Sequence, residues 1–510
     1  MALNLADCLE ASAELFPERV AAVMDDFRMT YAELAAAARR VANILASKGL
    51  QRGEKVAMML PNTPHFPIIY YGILYAGATV VPLNVALRRR EIEYQLDDSG
   101  ARLLFVWQDF LEEAAHAFEQ AEQCEHLVVV EPLPKPSHPA MGESFAALFA
   151  AAAATFDVAQ TLPEETAVIM YTSAITGNLR GAELSHCNLY LNALAVKEYV
   201  LHYQPEDAFI AALPLFHSFG QTCMMNAAFI AGSKVLFVPR FDAGKVLEII
   251  PQENITILAL VPTMYYFLVN FRREQEFSLN SLRLAVTGGS ALPLELAREF
   301  TARFGIALLE GYGLTETSPV VSFNPSVAEN KPGSIGKPIW GCRVRIMRED
   351  GSFAAPGEEG EVVVRGHNVM KGYHSKPEAT GQTMLGGWFH TGDLGHMDEE
   401  GYIFLTGLKK DMLIRAGMNV YPREIEDVLQ AHPGILEAAV IGMPDAVRGE
   451  EVKAYIVLRR PAALTEKEIS TYCREQLASY KCPRRIVVMD KLPRDVAGRL
   501  NKKALRLRND

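Results

Sequence analysis

The feature that most constrains the fold is an alternation of short apolar strands and helices near the start of the chain. Residues 55–60 form an apolar run typical of a buried strand, residues 64–75 predict a helix, and residues 76–83 predict a second strand. Short connections make this a βαβ unit, which requires a parallel sheet covered by helices. A helix near 91–96 and a strand at 103–107 continue the pattern. We therefore predict an α/β protein.

The alternation stops at a Pro-rich stretch, residues 131–144, which predicts a surface loop or linker. It then resumes. Further strands are predicted at residues 166–171, 209–215, 234–239, 255–261, 282–287 and 306–310. Local signals mark two helices: Thr30 and Glu33 form a capping box, whereas Ser290 as N-cap and Gly305 past the end bound a helix with Pro293 in its first turn.

The last part of the chain changes character twice. Beyond about residue 330, short strands with Gly and Pro turns at 344–347, 360–365 and 402–405 predict a small antiparallel subdomain. From about residue 408 a small α+β unit is predicted, with helices at 423–430 and 466–477 and strands at 436–441, 452–457 and 485–488. We expect a large N-terminal domain, residues 1–406, with two parallel-sheet βα subdomains and the antiparallel subdomain. A small α+β C-terminal domain, residues 407–510, is expected to follow on a hinge.

Composition excludes several classes of protein. A chain of 510 residues is too long for one ordinary core, and a net charge of −11 argues against a nucleic-acid partner. The seven cysteines form no Cys-x-x-Cys pair, which argues against zinc ribbons and suits a reducing compartment. The start lacks a signal peptide, and the longest apolar tract, residues 145–156, is about half the length of a membrane span. We expect a cytoplasmic protein with no transmembrane segment.

Residues 171–186 follow a predicted strand and precede a helical pattern that starts at Cys187. This stretch carries hydroxyls, glycines and one arginine: Thr172, Ser173, Thr176, Gly177, Arg180 and Gly181. Backbone N–H groups, hydroxyls and a fixed positive charge suit a phosphate. An ordinary tight β-to-α turn is the alternative. No Gly-Lys-Ser/Thr closes the loop, so it is not a Walker loop.

Three other segments carry candidate polar groups. Gly311 to Thr317 follows a predicted strand, where ligands bind in open parallel sheets, and Glu316 there suits Mg²⁺ unless it is a solvent-exposed loop glutamate. Asp393 follows a glycine and suits ribose hydroxyls, with an Asp turn as the alternative. Lys410 lies where composition changes, as a hinge or a charged linker. His217 follows apolar residues and is either a packed histidine or a base.

The ordered series 171–186, 311–317, 388–393, 407–426 and 498–506 resembles the core motifs of the adenylate-forming superfamily, which includes acyl-CoA synthetases and luciferases. The resemblance covers essentially the whole chain. Fatty-acid CoA ligases are the most similar branch, on the segments 213–217, 332–336, 370–373 and 419–426. An apolar acyl pocket lined by Phe216, Phe219, Met224 and Met225 agrees with that branch, although the same residues suit plain core.

The resemblance implies a two-step ligation with ATP, Mg²⁺ and coenzyme A. A carboxylate attacks the α-phosphorus of ATP to give acyl-AMP and pyrophosphate, and the CoA thiol then displaces AMP. Thr315, Glu316, His217 and Arg499 are the implied catalytic residues, with Glu316 on Mg²⁺ and Thr315 on the α-phosphate. The implied cofactor-binding residues are Thr172, Ser173, Thr176, Gly177, Arg180, Gly289, Ser290, Ala291, Gly311, Tyr312, Gly313, Asp393, Lys410 and Gly417. The substrate is a small-molecule carboxylic acid, expected to be a medium- or long-chain fatty acid; oligomeric state is open, a homodimer included.

The chain departs from the family pattern where chemistry is expected. Ala174, Ile175, Leu179 and Arg180 replace Gly, Thr, Pro and Lys of the phosphate loop. Leu408 replaces a ribose-binding Arg, and Arg499 stands at the adenylation lysine. Two hypotheses follow. The first is an acyl-CoA ligase, with or without a reduced rate of adenylation. The second is a catalytically impaired member that binds acyl, adenylate or CoA ligands without activating acids. Loss of one preorganised donor commonly costs ~10²–10³ in rate.

Overall fold

The computed structural model describes residues 2–132, 139, 141–173, 179–271, 277–408, 412–459, 464–494 and 500–508. The predictions on Ala174, Ile175, Thr176, Gly177, Lys410 and Arg499 lie outside these ranges. For Ser173 and Leu408 the structure describes the backbone and not the side chain.

The helices and strands follow one another along the whole chain. The α-helices are α1 (Asp7–Leu15), α2 (Tyr31–Ser47), α3 (His65–Tyr75), α4 (Arg89–Ser99), α5 (Leu111–Gln120), α6 (Phe145–Ala151), α7 (His186–Ala195), α8 (Ala227–Ile230), α9 (Ala243–Gln252), α10 (Pro262–Asn270), α11 (Leu294–Phe304), α12 (Pro377–Thr383), α13 (Pro422–Ala431), α14 (Glu466–Gln476) and α15 (Lys502–Arg506). Short 3-10 turns cover Gln108–Phe110 and Thr315–Thr317, and π-helical turns cover Val196–Val200 and Gly220–Asn226.

The strands of the first half are β1 (Val20–Met24), β2 (Phe27–Thr30), β3 (Lys55–Met59), β4 (Thr79–Pro82), β5 (Ala101–Trp107), β6 (His126–Val130), β7 (Glu143–Ser144), β8 (Thr166–Ser173), β9 (Leu179–Ser185), β10 (Ala208–Ala211), β11 (Lys234–Phe237), β12 (Ile257–Leu260), β13 (Leu284–Thr287) and β14 (Leu308–Gly313). Those that follow are β15 (Val320–Phe323), β16 (Lys337–Pro338), β17 (Cys342–Met347), β18 (Gly360–Gly366), β19 (Gly372–Tyr373), β20 (Met384–Leu385), β21 (Trp388–Met397), β22 (Ile403–Leu408), β23 (Leu413–Arg415), β24 (Met418–Val420), β25 (Ile435–Asp445), β26 (Gly449–Leu458) and β27 (Arg485–Val488).

These strands form four sheets. The first has the order β19-β9-β8-β4-β3-β5-β6-β7; it is antiparallel at the β19-β9-β8 end and parallel from β8 to β7. The second has the order β16-β15-β14-β13-β12-β10-β11-β1-β2; it is parallel in the middle and antiparallel at both edges. The third, β17-β18-β21-β20 with β22 beside β21, is antiparallel. The fourth, β24-β23-β26-β25 with β27 beside β26, belongs to the C-terminal α+β unit. The predicted fold class is confirmed.

The two large sheets share one core. Helix α3 is buried along its whole length, because it is apolar on every side. The largest hydrophobic cluster takes Val56 and Phe105 from the first sheet and Phe209 and Val286 from the second. Packing through this shared core holds the strand ends of the two sheets in a fixed relation, which positions the site described below.

Two local predictions can be compared directly with the helices. The capping box is confirmed: the Glu33 N–H donates to Thr30 Oγ1 at 3.2 Å, and the Thr30 N–H donates to Glu33 Oε2 at 2.8 Å. The prediction of Ser290 as an N-cap is wrong, since α11 has Pro293 in that position. A residue before proline is disfavoured in the α conformation, so the helix does not extend back through Leu292. Gly305, with φ +73°, ends the helix as predicted.

Residues 179–185 form a strand that the sequence analysis placed in a loop. Strand β9 pairs antiparallel with β8, with Thr172 opposite Arg180 and Ile169 opposite Glu183. The stretch 171–186 is therefore mostly a β-hairpin rather than a β-to-α turn. Its short sequence has little alternation of apolar residues, and pairing with β8 and β19 decides its conformation.

Candidate active site

The site lies at the carboxyl ends of three parallel strands of the second sheet. Strands β12, β13 and β14 pair in register, with Leu260 opposite Thr287 and Thr287 opposite Glu310. The loops that follow β13 and β14 contain residues 288–292 and 314–316, and ligands bind at this edge of open parallel sheets.

Glycines keep the backbone of this edge uncovered. A Cβ on Gly311 would lie 2.1 Å from the Phe323 ring, and one on Gly313 would lie 2.1 Å from the Pro319 carbonyl oxygen. Gly289 has a φ of +80°, in the left-handed region that favours glycine. The sequence Gly-Tyr-Gly at the end of β14 is thus required by packing as well as suited to close approach of a ligand.

A large cleft, which we call the nucleotide cleft, and a small cavity, which we call the acid cavity, meet along residues 311–314. The space open to the centre of a water-sized sphere is about 210 Å³ in the first and 60 Å³ in the second. Predicted residues that line the nucleotide cleft are Arg180, Gly289, Ser290, Ala291, Gly311, Tyr312, Gly313, Glu316 and Asp393. Those that line the acid cavity include His217, Thr315 and Gly417. The structure therefore brings together the predicted residues that it describes.

Glu316 is held by side chains from two strands of the first sheet, β8 and β19. Its Oε1 accepts hydrogen bonds from the Thr172 hydroxyl at 3.2 Å and the Tyr373 hydroxyl at 2.9 Å. The side chain is buried and lines the nucleotide cleft. It is thus not a solvent-exposed loop glutamate. Thr172 and Glu316 lie 144 residues apart in sequence, and this bond links the hairpin of β8 and β9 to the 3-10 turn after β14.

Arg180 lies in the same wall of the cleft. Its guanidinium sits 5.2 Å from the centre of the Tyr373 ring, and only 8% of the residue is exposed. A guanidinium over an aromatic face is stabilised by the ring quadrupole. The arrangement places a fixed positive charge close to the carboxylate of Glu316. A guanidinium beside a carboxylate suits a metal-bound phosphate, because the guanidinium can bind the phosphate and the carboxylate can bind the metal ion.

Asp393 comes from the antiparallel sheet and faces β14. The Tyr312 hydroxyl donates to Asp393 Oδ2, and burial together with this carboxylate raises the pKa of Tyr312 above its ordinary range. The Asp393 N–H donates to Thr391 Oγ1 at 3.0 Å. A buried carboxylate beside an aromatic ring, at the side of a cleft, suits recognition of paired hydroxyls.

The nucleotide cleft also contains a carboxyl, that of Glu310, which is not among the predicted site residues. Glu310 ends the buried part of β14, lies between β13 and the nucleotide cleft, and accepts a hydrogen bond from the Leu292 N–H at 3.0 Å. Burial raises the pKa of Glu310 to about 7. Its position at the carboxyl end of a predicted parallel strand, immediately before Gly311, was the available signal.

The acid cavity is lined by residues from three segments. His217, Ser218 and Phe219 follow β10, Thr287 ends β13, and Val320 and Phe323 belong to β15. Burial lowers the pKa of His217 to about 4, so its imidazole is neutral at pH 7. Of the four residues predicted to line an acyl pocket, Phe219 does so, whereas Met224 and Met225 are fully buried in the core and Phe216 lines a neighbouring cleft.

A hairpin of the C-terminal unit covers the junction of the two spaces. Strands β23 and β24 are joined by Ala416 and Gly417, with φ +51° and +81°, as in a two-residue hairpin turn. A Cβ on Gly417 would lie 2.8 Å from Val261 Cγ1, so the tip packs closely on the end of β12.

The Lys481 ammonium, 1% exposed, forms ion pairs with Glu91 of α4 at 2.6 Å and Glu424 of α13 at 2.7 Å. A buried ion pair therefore bridges the C-terminal unit and the first sheet.

The neighbouring cleft runs from His217 and Thr315 past Thr172 to the C-terminal unit. Its walls include Asn84 and Leu87 on one side and Met418 and Tyr480 on the other. Across the described ranges, no cluster of three or more His, Cys, Asp or Glu side chains could hold a metal ion by itself. No helix among those residues has the length and apolar character needed to cross a membrane.

The model of the AMP-binding enzyme family matches residues 9–374, and that of the AMP-binding enzyme C-terminal domain matches residues 424–499. The chain belongs to this family, within the adenylate-forming superfamily, and it is an enzyme of that superfamily. The predicted resemblance is confirmed.

Relatives and solved structures resemble the chain over nearly its full length. A long-chain-fatty-acid–CoA ligase of Bacillus subtilis is 34% identical, covering 98% of this chain and 94% of the relative. A feruloyl-CoA synthase of an Amycolatopsis species is 36% identical, covering 97% of each. A structure of the o-succinylbenzoate CoA synthetase of Bacillus subtilis, bound with a product analogue, is 32% identical and superposes with a TM-score of 0.86 over 98% of each chain. These proteins are CoA ligases with different acids, so the acid used by this chain is not given by similarity.

Proposed function

We propose that this chain is an AMP-forming acyl-CoA ligase that joins a carboxylic acid to the thiol of coenzyme A through an acyl-adenylate. The observation that carries the proposal is the convergence of the segment after β14, Asp393 and the β23–β24 hairpin on one junction between a nucleotide-sized cleft and a small cavity. The family and the names of the relatives support the same reaction.

The proposal assigns roles to residues of the nucleotide cleft. Residues 289–291 and 311–313 would hold adenine, with Tyr312 as the ring beside it, and Asp393 would accept the ribose hydroxyls. Thr315 would contact the α-phosphate. Thr172 and Arg180, with Ser173, Thr176 and Gly177 of the same stretch of sequence, would hold the β- and γ-phosphates.

Mg²⁺ is part of the proposal, and the residues present suit it. Magnesium usually takes one or two protein carboxylates and completes its octahedron with substrate phosphates and waters. Glu316 is a buried carboxylate in the cleft whose two described hydrogen bonds both end on Oε1. Bound there, the ion would neutralise charge on the leaving pyrophosphate, while the chain itself orients the phosphates.

Coenzyme A would enter through the cleft between α4 and the C-terminal unit. That cleft reaches His217 and Thr315, two of the implied catalytic residues, and the turn at Gly417 lies next to it. In the second step the thiol sulfur attacks the acyl carbon, AMP leaves, and the thiol proton goes to solvent. The same proposal includes a domain boundary near residue 407 with Lys410 as its hinge, and Arg499 as the residue that serves the first step. It also includes a cytoplasmic location and a homodimer.

Two classes of acid have separate support. Motif similarity and the fatty-acid ligase among the relatives favour a medium- or long-chain fatty acid. The small volume of the acid cavity, together with the feruloyl and succinylbenzoate relatives, favours a compact acid.

The test is carboxylate-dependent exchange of pyrophosphate into ATP, run across aliphatic and aromatic acids, with thioester formation measured in parallel. Exchange with at least one acid is expected. Folded protein that exchanges with none would contradict the ligase and favour the impaired family member. In that case conversion of preformed acyl-AMP to thioester shows whether the second step survives. Arg499→Lys should raise exchange if Arg499 serves the first step, and no change would remove it from that role.

A further inference from the structure

The acid cavity contains two buried hydroxyls with no hydrogen-bond partner. Ser218 and Thr287 both line it and are 1% and 0% exposed, and Ser218 Oγ and Thr287 Oγ1 are buried atoms that neither donate nor accept a bond. Hydroxyls buried away from water are nearly always paired, because an unpaired one loses its hydration without compensation. Two such groups in one cavity indicate that a bound ligand supplies the hydrogen-bond partner that the protein lacks.

The two hydroxyls reach the cavity from separate elements. Thr287 is the last residue of β13, between β12 and β14, and Ser218 begins the helical segment after β10. Other buried hydroxyls of the same region are paired: Thr222 Oγ1 donates to the Ser318 carbonyl at 2.9 Å, and Ser318 Oγ donates to the Asn368 carbonyl at 2.8 Å. Burial in this region thus does not by itself leave a hydroxyl unpaired, and of the residues that line the cavity Ser218 and Thr287 are the two whose buried hydroxyls have no partner.

The cavity is also small in volume. Its volume of about 60 Å³, open to the centre of a water-sized sphere, corresponds to roughly four to six water molecules by that measure. Phe219, Val320 and Phe323 line it, and the fully buried Met224 and Met225 belong to the same hydrophobic cluster as these three residues. A long alkyl chain would have to displace this close-packed core.

We infer that the acid activated here is compact and carries a second oxygen-bearing group, a hydroxyl or carbonyl, that pairs with Ser218 and Thr287. This inference rests on the proposed ligase function and names its substrate class. A site built to hydrogen-bond a substrate oxygen rejects the analogue without it, since the buried groups of the site are then left unpaired. Ser218 and Thr287 are thus residues that determine specificity, and an unsubstituted fatty chain satisfies neither of them.

The experiment measures binding without requiring catalysis. N-acylsulfamoyl adenosines, stable analogues of the acyl-adenylate, are titrated calorimetrically into the full chain with benzoyl, 2-, 3- and 4-hydroxybenzoyl, octanoyl and palmitoyl groups. At least one hydroxybenzoyl analogue should bind about 10- to 100-fold more tightly than the benzoyl analogue. In the double variant Ser218→Ala, Thr287→Val this advantage should fall to less than threefold.

Thr63→Val is the matched control, because Thr63 is 2% exposed and its hydroxyl is likewise unpaired, but it lies at the start of α3 outside the cavity. It should retain the full advantage. Each single variant is measured as well, so that one folded variant suffices if the double variant fails to fold.

Any of four results would overturn the inference. The octanoyl or palmitoyl analogue could bind most tightly, or the hydroxybenzoyl analogues could show no advantage over benzoyl. The advantage could survive the double substitution, or none of the analogues could bind. Failure of the ligase function shows separately, as absent pyrophosphate exchange with every acid in spite of analogue binding.

Discussion

The nucleotide cleft and the acid cavity share a wall at residues 311–314 but satisfy their polar groups in opposite ways. In the nucleotide cleft the polar side chains described above have protein partners. Tyr312 donates to Asp393, Thr172 donates to Glu316, and Glu310 accepts from the Leu292 N–H. In the acid cavity the hydroxyls of Ser218 and Thr287 have none.

This difference separates two kinds of binding site. A cleft whose polar groups are paired within the protein is preorganised before any ligand arrives, and it suits a ligand that is the same throughout a family. A cavity with unpaired groups is completed by its ligand, so binding there depends on whether the ligand supplies the missing hydrogen-bond partners. Four substitutions can break or sharpen the comparison.

The largest effect is expected from Glu316→Gln. Glutamine keeps an oxygen to accept from Thr172 and Tyr373 but removes the negative charge that would hold Mg²⁺. Pyrophosphate exchange should fall about 100- to 1000-fold, the usual cost of removing one electrostatic element of an active site. Thermal melting should change little.

Glu399→Gln is the control, since Glu399 is an exposed glutamate in the turn after β21. It should leave exchange unchanged. A loss of less than fivefold in Glu316→Gln would remove Glu316 from the metal-binding role.

The next effect concerns the pH dependence of stability at Glu310. Burial raises the pKa of Glu310 to about 7, while its unfolded reference value is 4.5. Between these values the folded chain binds more protons than the unfolded chain, so this residue lowers stability as pH rises through that window. At about 1.4 kcal/mol per pKa unit, the penalty at pH 8 approaches ~3 kcal/mol.

Glu310→Gln removes that penalty and keeps an oxygen for the Leu292 N–H. Urea denaturation of the ligand-free protein should show the variant close to the parent protein at pH 4.5 and more stable at pH 8. Glu299→Gln, on the exposed side of α11, should show no such trend. Equal stability of Glu310→Gln and the parent protein at pH 8 would show that Glu310 ionises without penalty.

The sequence predicted the nucleotide cleft better than the acid cavity for a physical reason. Gly311, Tyr312 and Gly313 end β14 and Glu316 lies in the 3-10 turn after it, so local patterns locate them at a known edge of a parallel sheet. Asp393 lies within β21 of the antiparallel sheet, and its motif rather than its position in the sheet predicted it. Strand alternation likewise predicted the fold class, and the errors were local: Pro293 displaced the N-cap from Ser290, and pairing with β8 made residues 179–185 a strand.

The acid cavity depends on side-chain packing between segments far apart in sequence. Phe219, Met224 and Met225 are equally apolar, and only the folded core decides that the first lines the cavity while the others are fully buried. Nothing local to Ser218 or Thr287 indicates that their hydroxyls lack partners. Such information exists only once the strands that carry them are packed.

A smaller effect is expected from Tyr312→Phe, which removes a paired group from the nucleotide cleft. Loss of the hydroxyl leaves the buried Asp393 carboxylate without this donor. Hydrogen bonds to charged groups contribute about 1.5–3 kcal/mol, so the free energy of unfolding should fall by that amount.

Tyr402→Phe provides a matched control, because its hydroxyl donates to the neutral Glu329 carbonyl at 2.6 Å. That substitution should cost about 1 kcal/mol. Equal losses in the two variants would show that the Asp393 carboxylate does not depend on Tyr312.

The smallest effect, and the one that decides whether the two sites differ as described, is the sign of Thr287→Val. Valine has nearly the same shape as threonine and removes a buried hydroxyl that has no partner. The substitution should therefore be neutral or raise the free energy of unfolding by up to ~1 kcal/mol. Thr222→Val makes the same chemical change at an equally buried position, but there the hydroxyl donates to the Ser318 carbonyl, so a loss of about 1 kcal/mol is expected. Urea denaturation of both variants without ligand measures the contrast. A loss in Thr287→Val as large as that in Thr222→Val would mean that the Thr287 hydroxyl is already satisfied within the protein, and the acid cavity would then be as complete on its own as the nucleotide cleft.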